Sequence, residues 1–493
     1  MTNGTLMQYF EWYLPADGEH WQHLAEDAQH LKNLGISMVW LPPAFKGTGP
    51  EDVGYGIYDL YDLGEFDQKG TVATKYGTKG DYLKAIQTLE NLDIRTVADI
   101  VLNHKAGGDQ KERFKVVQVN PENRMEVVSK IFEIDGWTQF VFPGRGNIYS
   151  DFKWYWYHFT GVDYDALNDQ YGIYMIYGTN KGWVDTNQVD DENGNYDYLM
   201  FNDIDFNRPE IVSHLKTWVK WFLETTGVSG FRLDAVKHIE ARFMTNFITY
   251  VREEVKPNLY VFAEYWKNNT QSNLKYIEKT QGAFDLVDVV LHMNLFEASP
   301  QKGNYDLRQI LEGSLMQNAE TFAVTFVDNH DSQRGQALES CVEEWFKPAA
   351  YALILLRQQG LPCVFYGDYY GISGDFAQQD FKEVLDTLLY VRKNHVYGDQ
   401  VDYFDEVNCI GWINLGSEDY PDGSAVVISN KDANSKKMDI GSCNAGKFFV
   451  DIMDNCPDSI EIGPDGWASF PVRAESVSVW VDEKVLSCGE GSS

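Results

Sequence analysis

Gly230–Phe231–Arg232–Leu233–Asp234–Ala235–Val236–Lys237–His238–Ile239 decides how this chain is read. Its first half is a short apolar strand, and its second half turns polar where a helix would open. On a strand, Arg232 and Asp234 share a face, because side chains two apart point the same way. A guanidinium beside a carboxylate favours the ionised acid, so the pair is expected to lower the pKa of Asp234. An ionised Asp at a strand end is the form a carboxylate nucleophile needs. A lone Arg-x-Asp is more often a structural ion pair, so the rest of the chain must carry the functional reading.

Outward from this stretch, short apolar strands alternate with amphipathic helices. The expected strands are 5–12, 36–42, 94–103, 230–234, 259–264, 285–292, 323–328 and 361–366. Between them Trp21, Leu24, Ala28, Leu31 and Leu34 recur at helical spacing, as do Ile211, Leu215, Trp218, Phe222 and Leu223. Residues 343–360 read as a longer helix stopped by Gly360. Eight strands, each followed by a helix or an insertion, make an α/β fold of the (β/α)8 TIM barrel type. A doubly wound open sheet is the alternative, but no Gly-rich phosphate fingerprint follows the first strand.

From His104 to about Arg208 the alternation lapses into Gly-, Asn-, Asp- and aromatic-rich sequence. A structureless loop of that length does not belong inside a compact domain. The expectation is an inserted irregular β-rich domain after strand 3. Beyond about Val396, short β runs (425–429, 447–451, 476–481) separated by Gly, Asp and Pro turns predict a C-terminal antiparallel β-sandwich of Greek-key type. The division is therefore 1–103 with 208–395 as barrel, 104–207 as insertion and 396–493 as sandwich. The last residues, CGEGSS, read as a frayed tail.

Composition limits the functions open to the chain. A hydrophobic share of 44%, with 14 Trp, 29 Tyr and 28 Phe, supplies several cores and argues against disorder. A net charge of −33 repels nucleic-acid phosphates and anionic membranes, and serves solubility. The six cysteines are scattered without CxxC or ligand spacing, and Cys363, inside an apolar run, reads as a small buried hydrophobe. Residues 1–15 lack a basic and apolar leader pattern, so the expected location is the cytoplasm, with secretion only if a leader has been trimmed.

Polar residues at the C-terminal ends of barrel strands read as catalytic. Strand three ends Asp99–Ile100–Val101–Leu102–Asn103–His104, and strand four ends in Arg232 and Asp234. Strand five ends Glu264–Tyr265–Trp266, and strand seven Asp328–Asn329–His330–Asp331. Asp234, Glu264 and Asp331 should converge at the mouth, with His104, His238 and His330 nearby. Acids, neutral imidazoles and aromatics together fit glycoside chemistry: one carboxylate attacks, one acid protonates the leaving oxygen, and rings stack on sugar faces. A metal–carboxylate site or plain solvation of the mouth is the bland alternative. Four such strand ends together favour catalysis.

These same segments carry a resemblance. GFRLDAVKHI, AEYW, FVDNHD and DIVLNH resemble the signature segments of the α-amylase family of glycoside hydrolases, most closely the liquefying-type bacterial enzymes and their intracellular relatives. MQYFEWYLP, VWLPPAFKG, VGYGIYDLYDLGEFDQKGTVATKYG, ENGNYDYLM and EWFKPAAYALIL extend the likeness over nearly the whole chain, most weakly in the C-terminal sandwich. The resemblance implies retaining endo-hydrolysis of α-1,4-glucosidic bonds in starch, glycogen or maltodextrins. Asp234 would be the nucleophile, Glu264 the general acid and base, and Asp331 the stabiliser of the transition state. Arg232 would orient Asp234. His104, His238 and His330 would bind hydroxyls, Lys237 would serve the product side, and Tyr55, Trp12, Tyr196 and Trp266 would line sugar subsites.

The resemblance also implies calcium. Asn103, Asp197, Asp203 and the His238 carbonyl match a calcium site joining insertion to barrel, and hard oxygen donors suit that ion. Asp163 and Asp205 match an adjacent metal cluster, but Asn207 stands where that pattern has an acid, and only Asp185 remains as a partner in the lengthened 183–192 segment. A further site near the C-terminal domain is poorly matched by Glu406–Val407–Asn408. The expected partner is an α-glucan bound by a monomer, with no nucleic acid or membrane. The rivals are a glucanotransferase with identical acids and a non-catalytic glucan-binding protein.

Overall fold

A computed structural model describes residues 3–485. The expected frayed tail and Cys488 lie outside the described residues. Eight parallel strands close into a barrel: β1 (Leu6–Gln8), β2 (Met38–Leu41), β3 (Arg95–Ile100), β4 (Gly230–Leu233), β5 (Tyr260–Ala263), β6 (Asp285–Val287), β7 (Ala323–Phe326) and β8 (Leu361–Phe365). Neighbours follow chain order around the ring, and β8 pairs with β1 in the register Leu6↔Cys363.

Alternation along these strands divides two cores. Leu6, Met38, Trp40, Val97, Phe262, Val287, Val324, Phe326 and Cys363 fill the barrel interior. Their neighbours Met7, Val39, Leu41, Ala98, Phe231, Leu233, Val261, Leu286 and Val364 face outward against the helices. The period of two does this sorting, because each strand is buried on both faces. The helices seal the outer layer as their spacing predicts. His20–Leu34 buries Trp21, Leu24, Ala28 and Leu31, and Pro209–Thr226 buries Ile211, Leu215, Trp218, Phe222 and Leu223.

Three expectations need correcting. The sixth strand stops at Val287, because Asp288 caps a helix, Val289–Gln301, by accepting the Leu291 N–H at 3.1 Å. The helix read over 343–360 is confined to Lys347–Leu355, starting where Pro348 fits the first turn. Gly360, at φ 75°, belongs to the loop into β8 and does not cap the helix.

The insertion is far more regular than its composition suggests. Seven strands form one antiparallel sheet, including the long pair Gln110–Asn120 and Phe132–Gln139. Beyond the barrel, a six-stranded antiparallel sheet (400–482) faces the two-stranded pair Asn434–Asp439 and Trp467–Val472. Ile413, Val427, Met438, Phe449, Phe470 and Trp480 fill the space between them. This is the expected sandwich packing.

Candidate active site at the barrel mouth

Strand parity carries the polar set to one place. Asp99 and Arg232 are register partners on β3 and β4, and both point into the barrel above the apolar layer. Asp234 and Glu264 continue the same inward parity just past the ends of β4 and β5. Arg232 then acts as hub. Its Nη1 donates to Asp99 Oδ1 at 2.8 Å, to Asp99 Oδ2 at 3.0 Å and to Asp234 Oδ1 at 2.8 Å. Its Nη2 donates to Glu264 Oε2. Asp331 lies across the mouth, its Oδ2 3.3 Å from His330 Nε2.

The backbone locks this geometry. The Asp234 N–H donates to Ile100 O at 3.0 Å, the Glu264 N–H to Leu233 O at 2.9 Å, and the Val236 N–H to Glu264 O at 3.1 Å. Ala235, next to Asp234, is left-handed at φ 49°, a strained conformation for a residue with a side chain. On the β7 side, Asn329 Oδ1 accepts the N–H groups of Asp331 and Ser332 at 2.9 and 2.8 Å, which makes the turn that presents Asp331. Behind that turn, Lys347 Nζ joins Asp328, at 2.8 Å, to Asp368.

The electrostatics differ from expectation at one point. Arg232 does stabilise the Asp234 carboxylate, but burial raises its pKa by more than the guanidinium lowers it, so the net shift is upward. Burial likewise pushes Asp99 up to about 6 and Asp331 up to about 7, with Arg232 opposing in both cases. The imidazoles are held neutral by burial: His104 is lowered to about 4, His238 to about 3, and His330 well below its usual value.

The remaining expected residues gather around this hub. The rings of Trp12, Tyr55 and His330 are nearly parallel, with centroids 5.1 Å apart for Tyr55–His330 and 6.0 Å for Trp12–Tyr55. Tyr55 Oη donates to Asp99 at 2.9 Å, and Tyr55 O contacts His104 Nε2 at 2.8 Å. Lys237 Nζ binds Glu192 at 2.7 Å and Trp266 O at 3.1 Å, and stands over the Tyr196 ring. Tyr196 in turn packs edge-on against His238, 4.2 Å between centroids. Trp266 is half-buried against His292 and Phe326.

The seam between barrel and insertion holds the expected calcium ligands. Asp203 pairs with His104 across antiparallel strands, and the Ile204 N–H donates to Asn103 O at 3.0 Å. Asn103 Oδ1 is buried without a hydrogen-bond partner. Burial and then the charge of Asp197 raise Asp203 well above the carboxylate range, and Asp197 itself is pushed up to about 7. Among the described residues no three acids, imidazoles or thiols converge as a metal group. The set here is two carboxylates and an orphaned amide oxygen, all hard donors with excess negative charge, which fits calcium. Asp163 and Asp205 are otherwise engaged: Asp163 Oδ2 accepts the Phe201 N–H at 2.9 Å, and Asp205 Oδ2 pairs with Lys181 at 2.8 Å and Arg208 at 3.2 Å. Asp185 lies exposed on a turn.

Asp99 is the residue sequence reading should have promoted, since an Asp at an inward position of an apolar strand demands a buried partner. Trp40, donating from Nε1 to Asp99 at 3.0 Å, and Gln8, 2.9 Å from His330 Nδ1, give no comparable signal.

A closed parallel barrel whose mouth gathers carboxylates around one arginine, ringed by aromatics and neutral imidazoles, has the parts that glycoside hydrolysis uses. Residues 15–400 match the family described as alpha amylase, catalytic domain, and residues 425–481 the alpha-amylase C-terminal family. The chain is 49% identical over 483 residues to an alpha-amylase of Geobacillus stearothermophilus, covering 98% of this chain and 87% of that protein. It is 43% identical over 498 residues to the cytoplasmic alpha-amylase of Escherichia coli (strain K12), covering 99% and 100%. A solved Anoxybacillus alpha-amylase shares the fold with a TM-score of 0.64 at 18% identity, over 98% of this chain and 97% of that one. The chain belongs to the α-amylase family.

Proposed function

We propose that this enzyme cleaves internal α-1,4-glucosidic bonds of starch, glycogen or maltodextrins with retention of configuration. The observation that carries the roles is the shared guanidinium: Arg232 binds Asp234 and Glu264 at once, so the two carboxyls flank one bond of a sugar bound at the mouth. Glu264 protonates the glycosidic oxygen while Asp234 attacks C1, and the C1–O bond breaks. Glu264, now a carboxylate, takes a proton from water, the water oxygen bonds to C1, and Asp234 is released. Asp331 stabilises the cationic sugar and holds its hydroxyls. His104, His238 and His330, neutral at working pH, exchange hydrogen bonds with hydroxyls, and Trp12, Tyr55, Tyr196 and Trp266 offer ring faces. Lys237 serves the product side.

The same reading assigns residues 104–207 as a calcium-linked domain and 396–493 as the C-terminal domain. Asn103, Asp197, Asp203 and the His238 carbonyl would hold one calcium, which supplies the positive charge this seam lacks. The enzyme works as a monomer in the cytoplasm, a placement supported by the E. coli relative of that description. Among the described residues no helix is long and apolar enough to cross a membrane.

Glu264→Gln tests the acid. The variant should bind maltodextrin in calorimetry yet lose turnover by a factor on the order of 10³ or more. Undiminished turnover would remove Glu264 from the mechanism. Transfer to sugar in place of water uses the same acids, and maltoheptaose decides between the two: shorter products only mean hydrolysis, whereas longer oligosaccharides mean transfer.

A further inference from the structure

Two oxygen clusters outside the Asn103–Asp197–Asp203 seam are closed by nitrogen donors of the chain itself. The first surrounds Asp205. Lys181 Nζ donates to Asp205 Oδ2 at 2.8 Å and to the carbonyls of Tyr157 and Phe159 at 2.7 Å each. The Lys181 and Asp205 side chains are only 2% and 3% exposed. Arg208 adds a second positive charge on the same oxygen, and the other oxygen accepts the Asn207 N–H at 3.2 Å. Three oxygens from two segments thus converge on an ammonium, much as they would on a metal ion. Asn207 is neutral, Asp185 is exposed, and Glu210, the other acid whose charge acts on Lys181, is exposed too, so Asp205 is the buried carboxylate that meets the lysine.

The second cluster lies where the barrel meets the C-terminal sheet. Asn430, 1% exposed, donates from Nδ2 to the carbonyls of Lys302 at 2.8 Å and Tyr305 at 2.9 Å. Asn408 donates from Nδ2 to Gly303 O at 3.0 Å and to Asn430 Oδ1 at 2.9 Å. Three carbonyls of one loop, those of Lys302, Gly303 and Tyr305, therefore accept from two carboxamides. Carbonyls arranged in this way suit a hard cation as well as an N–H donor, and the neighbouring Glu406 carboxylate is already taken by Lys436 at 2.8 Å.

We infer that this enzyme binds a single calcium, at the seam, and that Lys181 at Asp205 and the Asn408–Asn430 pair at the 302–305 carbonyls occupy the two other places where oxygens gather. The inference rests on the proposed seam calcium. Each substitute is covalently part of the chain, so these two junctions stay closed whatever the calcium concentration.

The test strips the full-length enzyme with EDTA, desalts it, titrates it with CaCl2 and counts bound metal by mass spectrometry and calorimetry. One equivalent per chain is expected. No bound calcium would overturn the seam reading, whereas two or more would overturn the single-site inference and leave the seam intact. In Asn408→Asp/Asn430→Asp, two carboxylates replace the amide donors, and a second equivalent should bind. A count still at one would show that those carbonyls do not form a cation cradle. Lys181→Met should lower the melting temperature of the calcium-loaded enzyme while the seam equivalent is retained, and an unchanged melting temperature would rule out the ammonium as the resident cation.

Discussion

At the barrel mouth, Asp99, Asp234 and Glu264 close on one guanidinium, which donates to all three. At the seam, Asp197 and Asp203 are also buried but carry no ion pair among the described residues; burial raises both, and the charge of Asp197 adds to the cost of ionising Asp203. The two regions have the same problem, buried negative charge, and different remedies. A cation built into a strand cannot leave, so the carboxylates it orients keep one geometry through every turnover. The calcium proposed for the seam would instead be exchangeable, and could be loaded after the insertion has folded against the barrel. Catalysis needs the first arrangement, and joining two separately built units tolerates the second.

Removing the built-in cation gives the largest expected effect. Arg232→Leu would strand three buried carboxylates, and breaking a buried pair typically costs about 3–5 kcal/mol. Turnover of a maltodextrin should fall by a factor on the order of 10³, because Asp234 and Glu264 lose their shared anchor. Arg232→Lys keeps the charge but not the fork, and should recover only part of the rate. If Arg232→Leu kept its rate within tenfold, the contrast between mouth and seam would collapse.

The mouth and seam were unequally legible in the sequence. The mouth follows from periodicity: once the strands are placed, parity alone puts Asp99, Arg232, Asp234 and Glu264 on the inner face. The seam depends on residues far apart in an insertion whose sheet was hidden. Gln110–Asn120 and Phe132–Gln139 pair regularly, yet the Gly- and Asn-rich stretches around them masked the pattern. Strand six failed for another reason. The apolar run 286–291 fits strand or buried helix equally, and only the capping role of Asp288 decides between them. Lys181 and Asn430 gave no signal, since what they do depends on which carbonyls surround them. The sign of the Asp234 shift was also out of reach, because it depends on how much burial offsets Arg232.

Asp331 offers a finer comparison, being the mouth acid that Arg232 does not touch. Its carboxyl, ordinarily near 3.8, is pushed up to about 7 by burial, with Arg232 opposing and Asp234 and Asp99 adding to the rise. Between those values the folded chain keeps a proton that the unfolded chain has released, so stability falls as pH rises through that window. Asp331→Asn removes this dependence. With the side chain 25% exposed and partly screened, urea melts should show no gain at pH 4 and a gain of about 1–3 kcal/mol at pH 8. Equal stability changes at the two pH values would mean that Asp331 is solvated like a surface acid. Activity should fall in either case, which marks the mouth as a place where stability is given up for function.

The smallest effect concerns the backbone. Ala235 holds a left-handed conformation directly after Asp234, and Phe201, at φ 53°, does the same between Asp197 and Asp203. Strain therefore appears in both regions, and its purpose can be separated by substitution. Ala235→Gly relieves roughly 1 kcal/mol in the folded state but frees the unfolded chain by about 0.5–1 kcal/mol. The melting temperature should therefore stay within about two degrees of the parent. The turn that aims Asp234 would gain freedom, and kcat should drop about two- to fivefold with KM little changed. Phe201→Gly, in contrast, should weaken calcium binding at the seam and leave kcat of the calcium-saturated enzyme alone. If Ala235→Gly ran at full rate, the hydrogen bonds from Asp234 N to Ile100 and from Glu264 N to Leu233 would suffice to hold Asp234, the proposed nucleophile. The strained turn would then be a by-product of joining β4 to the helix that follows, with no part in aiming the acid.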